Sequence, residues 1–363
     1  MSEPDIRKID RNMDFKTVDS SGMDWFSVDD EPLVFEGLYW RKKDGEFRRV
    51  LPEYSISPYI DETLSFHTSG AMLRFITDAD EIRIDVKLHK NARMDHMAST
   101  GSMGFDLYCG CGSSKRLCRT ARFSRDVDEY CVPVFELGER EHGEREFTLH
   151  FPLYCGVKSF RIGFKSGSVV KAPSPWCDPR PIVVYGTSIQ QGGCASRPGM
   201  SHTNIMSRML NRPFINLGFS GSGKGQPSAA RMVAAVENPA MFILDYSANA
   251  KNDGLRETLS EFITILRSAH PETPILLVSR TKYIDEHEGV GYTGYRLEQT
   301  VIYQDELRRR REAGDKNIHF LDGMSLYGEL GAECTVDGVH ATDLGFYMTA
   351  KHMAPVIAEI LGK

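Results

Sequence analysis

The spacing of apolar residues changes once along this chain, near residue 175, and that change restricts the folds open to it. Upstream, apolar residues recur at every second position: Ile82, Ile84, Val86 and Leu88 in "EIRIDVKL", Phe147, Leu149 and Phe151 in "EFTLHF", Phe160, Ile162 and Phe164 in "SFRIGF". Side chains on a strand alternate between its faces, so a period of two means half-buried strands. Several such strands separated by turn signals predict an antiparallel β-sandwich of jelly-roll type. Downstream, apolar residues fuse into short unbroken runs, "IVVYG", "PFINLG", "MFILDYS", "PILLVSR" and "IHFLDGM". These suit strands buried on both faces of a parallel sheet. Amphipathic segments separate them, as in "LRETLSEFITILRSAH", where Leu255, Leu259, Phe262, Ile263 and Leu266 share one face. That alternation predicts a three-layer α/β/α domain. At the change of pattern lies "KAPSPWCDPRP", with Pro173, Pro175, Pro179 and Pro181. Proline removes backbone donors and interrupts periodic structure. The expected organisation is therefore a polar segment over 1–20, a sandwich over 21–172, a Pro-rich linker over 173–181 and an α/β domain over 182–363.

A chain of 363 residues that is 41% hydrophobic can bury a sizeable core in each of two domains. Its net charge of −6 offers no electrostatic reason to expect a nucleic acid or an anionic membrane as partner. The basic run Arg308–Arg311 is short and has acidic neighbours, as on a solvated helix face. The first residues, "MSEPDIRKIDRNMD", lack the apolar stretch of a secretory signal. No run reaches the ~18 apolar residues of a membrane span. The expected location is cytoplasmic, with the eight cysteines as free thiols. Cys109 and Cys111 form a C-x-C with Cys118 nearby, but no second Cys or His pair completes a zinc motif, so no metal and no cofactor is expected. A homo-oligomeric state stays open.

In parallel α/β sheets chemistry gathers at the carboxyl ends of the strands. The first run ends in "YGTSIQQGG" and places Ser188 where strand gives way to helix. A helix start offers free N–H groups and positive potential, although a serine there also serves as a simple N-cap. Gln190 fills the second glycine position of the G-x-S-x-G elbow, so that motif is absent. The second run ends in "GFSGSGKG", one residue short of a P-loop: Gly225 stands where the Mg²⁺-binding Ser/Thr would be. The third leads into "DYSANAKND", with Asn249 after the strand, and the late segment "TVDGVHATDLG" sets Asp337 three residues before His340. Each signal alone is weak. Together they supply one chemistry. Ser188 can attack an acyl carbonyl, His340 can take its proton, and Asp337 can hold the imidazole in the right tautomer. The backbone N–H groups of Ser188 and Gly221 and the side-chain amide of Asn249 can receive the oxyanion. The glycine-rich turn then reads as an oxyanion turn rather than a phosphate cradle.

"GTSI", "NLGFSG", Asn249 and "DGVHATDLG" resemble blocks I, II, III and V of the SGNH (GDSL-type) hydrolases over about residues 180–363. The resemblance implies Ser188 as nucleophile, Ser188, Gly221 and Asn249 as oxyanion hole, and Asp337 with His340 completing a triad. Thr187 stands where the family often has Asp, and block III reads S-A-N-A rather than G-x-N-D, with Asn252-Asp253 as a nearby decoy. "GFDLY", Gly104 to Tyr108, resembles the G-x-D-L-Y motif of a β-sandwich domain that precedes one branch of these hydrolases, similar to esterases that remove O-acetyl groups from sugars. Asp106 could reach the site across the domain boundary or could cap a turn or pair with an Arg. Trp25, Trp40 and Trp176 could stack on sugar rings or pack in a core or boundary.

The expected function is a metal-independent serine esterase acting on O-acetyl groups of carbohydrates, with a small-molecule or oligosaccharide acyl ester as its partner. The alternative substrate is a short-chain acyl ester of a non-sugar alcohol, in the manner of a lysophospholipase or platelet-activating-factor acetylhydrolase. A P-loop nucleotide enzyme and a carbohydrate-binding protein with an inert hydrolase domain are the readings from other classes. The residues that bind substrate are not legible.

Overall fold

The computed structural model describes residues 22–90, 92–138, 142–284 and 294–362. The polar segment 1–20 lies outside the described residues. The period-two segments form ten strands: β1 (Met23–Phe26), β2 (Val34–Glu36), β3 (Met72–Thr77), β4 (Glu81–Leu88), β5 (Asp106–Cys109), β6 (Arg116–Thr120), β7 (Glu129–Glu136), β8 (Arg145–His150), β9 (Val157–Lys165) and β10 (Val170–Lys171). They make two antiparallel sheets, one ordered β1-β9-β4-β7 and the other β10-β3-β8-β5-β6, with β2 added on β3. The alternating residues face inward: Ile82, Ile84, Val86, Leu88, Phe147, Leu149, Phe160, Ile162 and Phe164 are all buried in one core. Phe75 of β3 meets Phe164 of β9 edge to face at 5.1 Å, closing one sheet on the other.

The unbroken apolar runs form β11 (Ile182–Gly186), β12 (Phe214–Gly218), β13 (Met241–Asp245), β14 (Ile275–Val278) and β15 (Ile318–Leu321). Every residue of β11, β12, β13 and β14 is buried. The strands pair in parallel in the order β12-β11-β13-β14-β15. The helices of this domain are α1 (Ser188–Gln191), α2 (His202–Leu210), α3 (Pro227–Ala234), α4 (Ser247–Ala269), α5 (Gly294–Glu312) and α6 (Asp343–Ile360). They fill two separate cores, one on each face of the sheet. Because β12 and β13 flank β11 on opposite sides, the topological switch point falls at the end of β11, where Ser188 lies. The fold is the expected sandwich followed by an α/β/α domain.

A helical excursion between β2 and β3 crosses to the second domain. Its Trp40, Val50, Leu51, Ile56, Ile60 and Leu64 are buried with Val183, Tyr185, Ile215 and Leu217 of the parallel sheet. Arg49, also buried, donates to the carbonyls of Gly218 (2.5 Å) and Leu64 (2.8 Å) and lies over the Phe219 ring. Residues 172–181 have no helix or strand. Trp176 of this stretch packs under the Arg74 guanidinium and donates to Glu36. Trp40 is core, and Trp25 on β1 lies beneath Arg161. The basic run on α5 is engaged: Arg308 with Asp305, Arg309 and Arg310 with Glu306, and Arg311 with the Ile318 carbonyl. None of the eight cysteines is in a disulfide. Among the described residues no helix is long and apolar enough to cross a membrane.

Candidate active site

Ser188 is the first residue of α1, one residue, Thr187, after the end of β11. The turn holding it is built by its neighbours. Thr187 caps the helix by accepting from the Ile189 N–H, and its own N–H and hydroxyl donate to Gln190 Oε1 at 2.8 and 2.9 Å. The Gln190 amide then donates to Asp245 at the end of β13, 2.6 Å away. Burial pushes the Asp245 carboxyl well above the usual carboxylate range. Thr187, where the family often has Asp, and Gln190, which breaks the G-x-S-x-G elbow, thus form a reciprocal cap tied to the neighbouring strand.

His340 and Asp337 sit on a hairpin turn closed by a bridge between Thr335 and Ala341 and by Val336 N–H donating to the His340 carbonyl at 2.9 Å. His340 Nε2 is 3.0 Å from Ser188 Oγ, and its Nδ1 is 2.7 Å from Asp337 Oδ2. The other oxygen, Oδ1, accepts the N–H groups of Val339 (3.0 Å) and His340 (2.7 Å). Partial burial acts to raise the Asp337 pKa, but the hydrogen bonds from the His340 N–H and ring and the Val339 N–H outweigh it and hold the carboxyl down to about 2. An ionised Asp337 at Nδ1 selects the tautomer that leaves Nε2 free to accept the serine proton.

The glycine-rich turn leaves β12 beside Ser188. Phe219 N–H donates to the Gly186 carbonyl (3.0 Å), and Ser222 and Gly223 N–H donate back to the Phe219 carbonyl. A Cβ on Gly223 would lie 1.9 Å from the Gly186 oxygen, so only glycine lets the turn close onto the end of β11. Gly221 has φ +67° and faces open space. Asn249, in the first turn of α4, donates through Nδ2 to the Phe219 carbonyl at 3.4 Å, which draws it against the same turn. The structure therefore brings Ser188, Asp337 and His340 into one relay and sets Asn249 against the glycine-rich turn that closes over the end of the strand leading to Ser188. The decoy Asn252 is turned to Glu298 on α5, and Asp253 is exposed near Arg256.

Several participants were not legible in the sequence. Gln191 Oε1 accepts from Ser220 N–H (3.0 Å), while its Nε2 contacts His67 Nδ1 (2.9 Å) and donates to the Leu153 carbonyl. Tyr154 hydroxyl donates to the Ser188 carbonyl (3.2 Å), and Ser69 hydroxyl to the Gln191 carbonyl. Burial, followed by Arg49, Lys90 and His89, holds His67 down to about 3, so its ring is neutral and can accept from Gln191. The β-sandwich domain thus forms the support behind α1. Asp106, fully buried, does not reach Ser188. It pairs with Arg197 (2.8 Å) and accepts from Gly199 N–H, clamping the loop that follows α1. The paired glutamines in "SIQQ" were the available signal; their partners, distant in sequence, were not. His96 and Cys194 were also unforeseen. Their ligand atoms and that of His340 all lie within 4.8 Å of one another, and among the described residues no other such group of metal-ligating side chains occurs.

Residues 179–358 match the GDSL-like lipase/acylhydrolase family, and residues 23–170 match the GxDLY N-terminus of SGNH-hydrolase-type esterases. The chain belongs to the SGNH (GDSL-type) esterases. No curated protein matches the sequence significantly. Among solved structures it is similar to a protein of Bacteroides ovatus provisionally named a GDSL-like lipase, with 27% identity over 94% of this chain and 98% of the other and a TM-score of 0.83. A salicylyl-acyltransferase, SsfX3, from a tetracycline biosynthetic pathway has 22% identity over the same shares, 94% and 98%, with a TM-score of 0.74. A family two carbohydrate esterase from Cellvibrio japonicus has 12% identity, again over 94% and 98%, with a TM-score of 0.61. For this SGNH esterase, the last two likenesses establish the two-domain fold.

Proposed function

We propose that this esterase hydrolyses O-acetyl groups on carbohydrates through an acyl-enzyme on Ser188. The observation that carries the reading is the relay from Ser188 Oγ to His340 Nε2 (3.0 Å) and from His340 Nδ1 to Asp337 (2.7 Å). His340 takes the hydroxyl proton as Ser188 Oγ bonds to the acetyl carbon. Asp337 stabilises the imidazolium without itself taking the proton. The negative charge on the carbonyl oxygen is received by the N–H groups of Ser188 and Gly221 and the amide of Asn249, donors that stabilise it most when aimed at it before the charge develops. His340 then gives its proton to the departing sugar oxygen. In the second half, water loses a proton to His340 and attacks the acetyl-serine; the acetyl–Oγ bond breaks, His340 returns the proton to Ser188 Oγ and acetate leaves. The carbohydrate part of the reading is supported by the likeness to the family two carbohydrate esterase.

A second reading, a short acyl ester of a non-sugar alcohol, is supported by the likeness to the salicylyl-acyltransferase, whose TM-score is higher. Acetate release from a panel of acetylated oligosaccharides, set against p-nitrophenyl acetate and short acyl esters of simple alcohols, separates the two. A serine-reactive phosphonate should label Ser188 in the wild type and nothing in Ser188→Ala. Labelling at another residue, or near-normal turnover in the variant, would sink the mechanism.

A further inference from the structure

We propose that His96, Cys194 and His340 form a Zn²⁺ site whose occupation silences the esterase. The proposal rests on the reading of His340 as the base and adds a ligand to that same residue. The three ligand atoms lie within 4.8 Å of one another. Two imidazole nitrogens and a thiolate are a donor set that Zn²⁺ takes in tetrahedral sites, with the fourth position left to water.

The three ligands come from separate parts of the chain that are pinned together. Cys194 lies just after α1, and its N–H donates to the carbonyl of Ala341, the residue after His340, at 2.9 Å. His96 belongs to the sandwich domain, on the stretch leading into a short helix, Ser99–Ser102. The next residue, Met97, is buried in the core of the hydrolase domain. Thr100 hydroxyl donates to the Ser196 carbonyl (2.6 Å), and Gly101 packs so closely on Ala195 that a Cβ would lie 2.0 Å from its carbonyl oxygen. His96 and His340 already meet edge to face, 5.5 Å between ring centres. Little reorganisation is therefore needed to bring the donors onto one ion.

The carboxylates around the site are placed as for a metal. His340 Nδ1 is held by Asp337, and His96 Nδ1 lies 3.1 Å from Asp95 Oδ1. A ligating imidazole usually gives its second nitrogen to a carboxylate, which orients the ring and makes the ligating nitrogen more basic. Both histidines are thus left with Nε2 for the ion. Asp337 and Asp95 place negative charge beside the three donors, which attracts a divalent cation. Zn²⁺ binding then drives off the thiol proton: the S–H bond breaks, the Zn–S bond forms and the proton goes to solvent. The ion takes the same Nε2 lone pair that Ser188 Oγ needs, so metal binding and base catalysis exclude each other.

The test uses the full-length chain, first stripped with EDTA. Added Zn²⁺ should abolish hydrolysis of p-nitrophenyl acetate, and EDTA should restore it. In Cys194→Ser and in His96→Gln, each compared with its own metal-free rate, the Zn²⁺ concentration for half inhibition should rise at least about tenfold. Co²⁺ added to Ser188→Ala, which retains all three ligands, should give a thiolate-to-cobalt charge-transfer band, lost when Cys194→Ser is added. Absence of that band, or unchanged Zn²⁺ sensitivity in both ligand variants, would overturn the site without touching the assignment of the nucleophile. A band present while Zn²⁺ leaves the wild-type rate intact would overturn the silencing: the ion would then sit on Cys194 without taking His340 Nε2, and His340 would stand as the base.

Discussion

Replacing Gly223 with alanine tests whether the glycine-rich turn works by its closeness to β11. The new Cβ would lie 1.9 Å from the Gly186 carbonyl oxygen. Carbon and oxygen do not approach closer than about 3.3 Å without strain, so turn and strand end must separate by more than about 1 Å. The Phe219 N–H bond to that same carbonyl, now 3.0 Å, then lengthens beyond hydrogen-bonding range. The displaced segment carries Gly221 and holds the Phe219 carbonyl against which Asn249 is drawn. A misplacement of about 1 Å in a catalytic array costs roughly 10² in rate. Overpacking of this kind destabilises by about 1–3 kcal/mol. Gly221→Ala is the matched control. Its φ of +67° brings the left-handed strain of about 1–2 kcal/mol, yet the added methyl meets nothing. Steady-state kinetics on p-nitrophenyl acetate should show kcat reduced about a hundredfold in Gly223→Ala and much less in Gly221→Ala, with both melting somewhat below the wild type by circular dichroism. A Gly223→Ala enzyme with unchanged kcat and unchanged Tm would show that the turn can yield without consequence, and the account of its closeness would fail.

Asn249→Ala should lower kcat by roughly 10²–10³ with little change in KM, since an oxyanion donor acts mainly in the transition state. Asn252→Ala, whose side chain is turned to Glu298, should leave kcat nearly intact, and the reverse ranking would mean the wrong asparagine has been chosen. Asp106→Ala leaves the Arg197 charge with only the Tyr108 hydroxyl and the Gly199 N–H without its acceptor, and urea unfolding should report a loss of about 3 kcal/mol. Acid should destabilise the fold below neutral pH. Burial lowers His202 to about 4, so between the unfolded value of ~6.5 and that value only the unfolded chain takes up the proton. Stability present above pH ~6.5 is therefore lost as pH falls, by about 3 kcal/mol for this one group, and His67 adds in the same direction. His202→Phe, which can keep the stack on Phe346, should flatten that limb of a Tm-against-pH curve; an unchanged limb would rule His202 out as its source.

Ser188 and the D-x-x-H turn were legible in the sequence because their signals are local. A strand buried on both faces shows as an unbroken apolar run, a half-buried one as alternation, and the residue after a strand end is known once the strand is known. The turn from Asp337 to His340 spans three residues, so their pairing needs only local geometry. The choice of Asn249 over Asn252 rests on distance from the strand end, while the kink at Lys251 (φ 59°) inside α4 was not legible. What the tertiary structure alone decided depends on contacts between segments far apart in the chain. The excursion that carries Trp40, Arg49 and Leu64 into the parallel-sheet domain has the composition of any amphipathic stretch, and nothing in its pattern names the core it joins. Asp106 had two readings, and only the meeting with Arg197 and Gly199 chose the structural one. Gln191 gains its role from His67, Leu153 and Ser220, and His96 and Cys194 approach His340 only because the sandwich closes on the hydrolase domain. Periodicity reports which face of an element is buried, whereas the identity of the partner on that face is set by how the elements pack.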